Sequence, residues 1–308
     1  MRSLRASATI CRSRQPALPW LALALVAILL FACGAPVAEG TVTPEATGVA
    51  VQTIQNKGSD TIVNLALAWV EAYTAGHPEV SISVTGGGSG TGIAAMINGT
   101  VDIANASREM KQEEFEAARK NGIDPIEYVV AQDAIAIVVH PDNPVNQVTL
   151  QQVSDIYTGV ITNWSELGGE DRPIVMLSRE SNSGTYVYFL ENVIRLGQES
   201  DLLLSPDTLL MPSSEGISAE VRQNRNAIGY DGLGYVTPGQ KMLAVAVEAG
   251  MPYVIPSAET VNDGTYPIAR PLFMYTAGEP TGALAAYMEW VLTEGQTQVD
   301  DLGFVPLK

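Results

Sequence analysis

The chain has 308 residues, with 34 acidic against 17 basic side chains and a net charge of −17 at neutral pH. So acidic a chain is a poor partner for nucleic acid or an acidic membrane surface. An anionic ligand would have to be caught by local donors, not by a broad basic patch.

The first 33 residues read as a leader. Arg2, Arg5, Arg12 and Arg14 make a basic start, and Leu18 to Phe31 is almost wholly apolar. The run is too short and wrongly flanked for a membrane span, so residues 1–33 are expected to be a signal peptide. Ala32-Cys33-Gly34 resembles a bacterial lipobox with a bulky Phe31, which makes Cys33 the expected lipidation site. Ordinary cleavage nearby is the alternative. Loss of the leader removes those four arginines, taking Lys plus Arg from 17 to 13 and the net charge to −21. Residues 34–50, rich in Pro, Gly, Thr and Ala, read as a flexible tether. The two cysteines are Cys11 and Cys33, so the folded part has neither disulfides nor thiolate metal sites.

Residues 51–308 suffice for two domains with sizeable cores. They alternate strand and helix, which predicts an α/β fold with parallel strands. Val51–Gln55 is followed by Gly58-Ser59-Asp60-Thr61 and a helix over 62–70. The alternating Val80–Val84 strand leads into Thr85-Gly86-Gly87-Gly88-Ser89-Gly90-Thr91-Gly92, then a helix over 93–99 stopped at Asn98-Gly99. Val101–Ala104 is a strand, and 111–121 a polar helix. Tyr128–Val130 and Ala134–Val139 form the longest apolar strand stretch, long enough to pass from one domain to another. Thr149 caps a helix through Tyr157. Ile174–Ser178 is a strand, and Ser183-Gly184-Thr185 opens a helix over 186–191. A helix over 214–224, short strands at 227–230 and 233–236, a return strand at 267–275 and helices at 282–292 and 296–302 complete the chain. Leu284, Tyr287, Met288 and Val291 make a core stripe.

Three of these units share one pattern: strand, turn with a hydroxyl residue, helix start. The first N–H groups of a helix lack internal partners and carry the positive end of its dipole, so such turns can hold a small anion. Each hydroxyl could equally cap its own helix. Recurrence three times, with Arg179 just ahead of Ser183, favours a common anion; a guanidinium offers fixed, permanently charged donors. Arg108 after Ser107 is a second candidate, with a surface salt bridge as the alternative for both. Catalytic readings find less support. His77 and His140 have no metal-spaced neighbours. The central turn lacks the Gly-Lys-Ser/Thr of a nucleotide loop, the Gly-x-Gly-x-x-Gly of a dinucleotide fold and the Gly-x-Ser-x-Gly of a hydrolase. No enzyme, cofactor or metal is expected.

Taken together, Gly58-Ser59-Asp60-Thr61, Gly88-Ser89-Gly90-Thr91-Gly92, Asp102-Ile103-Ala104 with Ser107-Arg108, Tyr157-Thr158-Gly159 with Asn163-Trp164, and Arg179 with Ser183-Gly184-Thr185 resemble the phosphate-binding lipoproteins of bacterial phosphate ABC transporters. The resemblance spans nearly all of Val51 to Leu307. It implies a two-lobe periplasmic-binding-protein-like (type II) α/β fold with a two-strand hinge. The first lobe would be 51–133 with 264–308 and the second 134–263. It further implies a monomer that binds inorganic phosphate in the cleft and delivers it to membrane permease subunits, lipid-anchored on the outer face of the cytoplasmic membrane. Another tetrahedral oxyanion such as sulfate or molybdate, or a sensing or adhesion role, stays open.

The resemblance places Ser59, Asp60, Thr61, Ser89, Ser107, Arg108, Arg179, Ser183, Gly184 and Thr185 at ligand positions. Arg108 stands where the best-known members carry the aspartate that accepts the phosphate proton. Asp60 is the expected substitute and Asp133 the next candidate.

Overall fold

The structure, a computed structural model, describes residues 51–308. The leader, Cys33 and the tether lie outside the described residues. No helix among the described residues is long and apolar enough to cross a membrane.

Strand β1 (Gln52–Gly58) runs into α1 (Asp60–Gly76), whose buried stripe of Ile62, Leu65, Ala66, Trp69 and Tyr73 repeats at helical spacing. Next come β2 (Val80–Thr85), α2 (Ser89–Ile97), β3 (Ile103–Ala106) and α3 (Gln112–Lys120). β1 lies between β2 and β3, parallel to both. α2 starts four residues ahead of the expected Ile93: Ser89 to Gly92 already form its first turn, and only Gly86 to Gly88 make the connection. Gly87 and Gly88 take φ of +114° and +89°, which side-chain-bearing residues rarely adopt.

The long apolar stretch is one 14-residue strand, β4 (Ile126–Val139). After it come β5 (Gln147–Thr149), α4 (Leu150–Tyr157), β6 (Val175–Arg179) and α5 (Gly184–Phe189). α5 continues as a π-helical turn, Leu190–Ile194. Then follow β7 (Leu209–Met211), α6 (Ser214–Gln223), β8 (Ala227–Gly232), β9 (Lys241–Met242), β10 (Ala244–Ala246) and α7 (Ala258–Asn262). β11 (Ala269–Thr276), α8 (Gly282–Leu292) and α9 (Gln296–Asp301) close the chain. Thr149 caps α4 as expected, its hydroxyl accepting from Gln152 N.

One mixed sheet of nine strands runs β2-β1-β3-β11-β4-β8-β6-β7, with β9 also on β4. β4 changes partners midway. It pairs antiparallel with β11 from Ile126 to Ala134 and with β8 from Ile135 to Val139. The side chains change company at the same place. Val130 and Ala131 pack in a core with Ile62, Leu65, Trp69, Leu272 and Tyr287. Ala134, Ile135 and Ile137 pack in another with Tyr157, Trp164, Phe189 and Tyr230. Each core defines a lobe, and β4 and β11 run between them.

The strand expected at 233–236 is a 3₁₀ turn, Leu233–Tyr235. Its Val236 N–H turns back to Leu233 O, and the Leu233 N–H goes to the Asp133 carboxylate instead of a neighbouring strand. The strands β5, β7, β9 and β10 have two or three residues each, too few to imprint a period of two on the sequence.

Candidate functional site

The three expected turns meet where β4 and β11 pass between the lobes. Thr61, in the first turn of α1, lies 2.8 Å from Thr185, in the first turn of α5, oxygen to oxygen. The Ser89 hydroxyl at the start of α2 is 3.2 Å from that of Ser107 and accepts from the Ser107 N–H at 3.0 Å. Gly184 closes the gap between the pairs. A Cβ added there would fall 2.4 Å from Ser89 Oγ and 2.6 Å from Ser107 Oγ, so only glycine lets the second lobe come this near. All five residues are buried.

A guanidinium that the turn pattern does not reveal ties the hydroxyls together. Arg270, on β11, donates to Thr185 Oγ1 at 2.9 Å, to Thr61 Oγ1 at 3.5 Å and to Ser107 O at 2.8 Å. It faces Asp133 on β4 in register across the two strands and donates to its carboxylate at 3.1 Å. Both side chains are fully enclosed, at 1% and 0% exposure. Burial pushes the Asp133 carboxyl upward, and the Arg270 charge opposes it. Asp133 therefore holds Arg270 in place, its other oxygen accepting from Leu233 N. The sequence carries a signal: Asp133 and Arg270 each sit among apolar strand residues, and a charge so placed is rarely buried without a partner.

Arg179, at the end of β6, reaches Asp60 across the cleft at 2.7 Å. It also donates to Ser214 Oγ at 3.1 Å and Pro212 O at 3.0 Å. Its Nε is buried without an acceptor among the described residues. Asp60 is engaged on both oxygens, the second accepting from Gly87 N at 2.8 Å. Behind Arg179, Ser214 and Ser218 contact Asp231, whose carboxyl burial raises to about 7, partly offset by Ser214 and by the Arg179 charge.

The remaining expected residues stand differently. Ser183 caps α5, its hydroxyl accepting from Thr185 N and Tyr186 N. Ser59 is buried at the head of α1 without a side-chain cap, its N–H donating to Asn105 O at 2.9 Å. Arg108 takes no part in the hydroxyl cluster. Its guanidinium grips both oxygens of Glu114 at 2.8 Å, the salt bridge that its sequence position left open. Tyr157 and Trp164 are core residues, hydrogen-bonded to Leu177 O and Asn226 O.

Part of the glycine-rich turn serves the approach of the lobes. Asn182 O accepts from Gly90 N, and Asn182 Nδ2 donates to Gly87 O, each at 2.9 Å. A Cβ on Gly88 would sit 2.7 Å from Asn182 O. Together with the Arg179–Asp60 pair and a Tyr235 hydroxyl donating to Asp60 O, these contacts fasten the lobes together.

Formal charges within the cluster cancel: Arg179 against Asp60, Arg270 against Asp133. An anion here would be held by oriented hydroxyl, N–H and guanidinium donors instead of net charge, as a chain this acidic requires.

Residues 43–294 match the family model of the PBP superfamily domain. The chain is 34% identical to the phosphate-binding protein PstS of Pseudomonas aeruginosa over 93% of each chain. It is 31% identical to PstS of Bacillus subtilis over 81% of this chain and 79% of that one. A crystal structure from Clostridium perfringens, described as a phosphate ABC transporter substrate-binding protein with bound phosphate, superposes with a TM-score of 0.75 at 34% identity. That match covers 83% of this chain and all of the other.

Proposed function

The chain belongs to the PBP superfamily, within the family of phosphate-binding proteins, and from that premise we propose that it captures inorganic phosphate outside the cytoplasm and hands it to an ABC transporter permease. The family is one of transport receptors, not enzymes. One observation carries the reading: Thr61 and Thr185, at helix starts in opposite lobes, share the buried Arg270 guanidinium. That guanidinium also donates to Ser107 O next to the Ser89 hydroxyl, while Arg179 pairs with Asp60 beside Thr61.

On this reading Thr61, Ser89, Ser107, Gly184, Thr185, Arg179 and Arg270 face the phosphate, while Ser59, Asp60 and Ser183 set their backbones and charges. The Thr61 and Thr185 hydroxyls bond to each other across the closed cleft, and those of Ser89 and Ser107 within the first lobe. Phosphate entry exchanges those bonds for bonds to its oxygens, so the lobes part to admit it and close again around it. A ligand shifts such an equilibrium only by binding one state better. Four phosphate oxygens that contact both lobes meet that condition.

The first lobe then comprises 51–133 with 269–308 and the second 134–268. The return falls slightly beyond residue 264, because Tyr266 and Ile268 belong to the second core. Isothermal titration of the purified protein with orthophosphate and with sulfate tests the reading. Saturable phosphate binding at one site per chain, with sulfate much weaker, is expected; heat from sulfate alone would reassign the ligand. The receptor is a monomer in this scheme, anchored through lipidated Cys33. Cys33→Ala should shift it from the membrane fraction to the soluble one, and a variant that stays with the membrane would remove the anchor assignment.

A further inference from the structure

A cavity of about 460 Å³ opens between the lobes beside the hydroxyl cluster, bounded by the segment that joins β3 to α3, by α5 and its continuation, and by β11. It shares two residues with the cluster, Ser107 and Arg270. Arg270 reaches Thr185 at 2.9 Å, and its guanidinium carbon lies 5.5 Å from the centre of the Tyr188 ring, which lines the cavity. Ser107 and Arg270 thus border both the expected phosphate position and this space.

Orthophosphate has no need of such a space. Its volume falls in the range of about 300–1,000 Å³ typical of small-molecule sites. Carbon surface from Met110, Val187 and Phe273 lines it, and Glu109 and Glu191 contribute carboxylates. Of its three cations, Arg108 is paired with Glu114 and Arg270 with Asp133, which leaves Lys111 against the two carboxylates, Glu109 and Glu191. A second anionic group is disfavoured beside Glu109 and Glu191. A carbon chain carrying hydroxyls suits the walls: methylenes pack on Val187 and Phe273, and hydroxyls donate to the carboxylates.

We propose that the cleft also accepts phosphate monoesters of small neutral polyols, with the phosphoryl group on the Ser107–Arg270 side of the cluster and the alcohol in this cavity. The inference rests on the phosphate-receptor reading and extends its substrate class. A phosphoryl oxygen accepting from Arg270 would have its neighbouring oxygen at the cavity mouth, where an ester carbon replaces a proton.

Isothermal titration with sn-glycerol 3-phosphate and, separately, orthophosphate tests it, on the parent and on two variants. Val187→Trp fills the cavity from α5 and is expected to weaken the ester by at least about tenfold, the scale of steric discrimination in an apolar pocket. Orthophosphate should stay within about threefold of the parent, as for substitutions outside the site. Glu191→Ala, on the exposed rim, removes a hydroxyl acceptor without touching the core and should weaken only the ester, by about fivefold. An unfolding transition as cooperative as the parent's checks Val187→Trp. Orthophosphate binding with no ester binding at millimolar concentration overturns the inference and leaves the phosphate reading standing. Equal loss of both ligands in Val187→Trp also overturns it. Ester binding without orthophosphate binding supports the cavity and removes the orthophosphate reading; loss of both removes both.

Discussion

An Arg179→Ala variant is expected to bind orthophosphate about thirtyfold to several thousandfold more weakly, the equivalent of roughly 2–5 kcal/mol for truncating one member of a buried charge pair. Two effects combine. The ligand loses a fixed cation whose buried Nε has no protein acceptor among the described residues, and Asp60 loses the partner that draws the lobes together. The second effect can be measured by itself. If Arg179 did no more than latch the lobes through Asp60, Asp60→Ala would cost as much as Arg179→Ala, and the double variant no more than either. If Arg179 meets the phosphate, Asp60→Ala alone will cost clearly less, because it removes a latch but also a negative charge near the anion. Titration calorimetry on the three variants separates these outcomes. An Arg179→Ala protein with parental affinity would place the anion elsewhere in the cleft.

Much of this site was readable one segment at a time. A hydroxyl and small residues after a strand and before a helix form a local pattern, and it located Thr61, Ser89, Gly184 and Thr185. Local signals also identified the long strand that joins the lobes, through the β-branched and apolar residues at 128–130 and 134–139. What escaped is non-local. The choice of Asp133 as partner for Arg270 depends on the register of two strands 137 residues apart in the chain, which no period in either strand specifies. The roles of Gly88 and Asn182 depend on how the lobes close, and a glycine needed for lobe contact looks in sequence just like one that cradles a ligand. Arg108 marks the opposite limit. Its position beside Ser107 left a ligand and a salt bridge open; Glu114 lies within reach in the first turn of α3, and a bidentate carboxylate is a strong competitor for a guanidinium.

Arg270 carries the second large expectation, and the one that best separates architecture from binding. Arg270→Met leaves the Asp133 carboxylate buried and unpaired where β4 and β11 pair, which should cost about 3–5 kcal/mol of stability. Urea or thermal unfolding would register it as a lower midpoint. Replacing both members of an enclosed ion pair with apolar side chains of similar volume is often neutral or stabilising. An Arg270→Met/Asp133→Leu variant should therefore recover most of the lost stability. It should not recover phosphate affinity, because the donor that joins Thr61, Thr185 and Ser107 is still missing. A refolded double variant that binds phosphate as the parent does would reduce Arg270 to a structural brace between the lobes. A stable double variant that cannot bind would mean that the strands joining the lobes also supply a charged ligand, so that the element about which the lobes move senses whether the cleft is occupied.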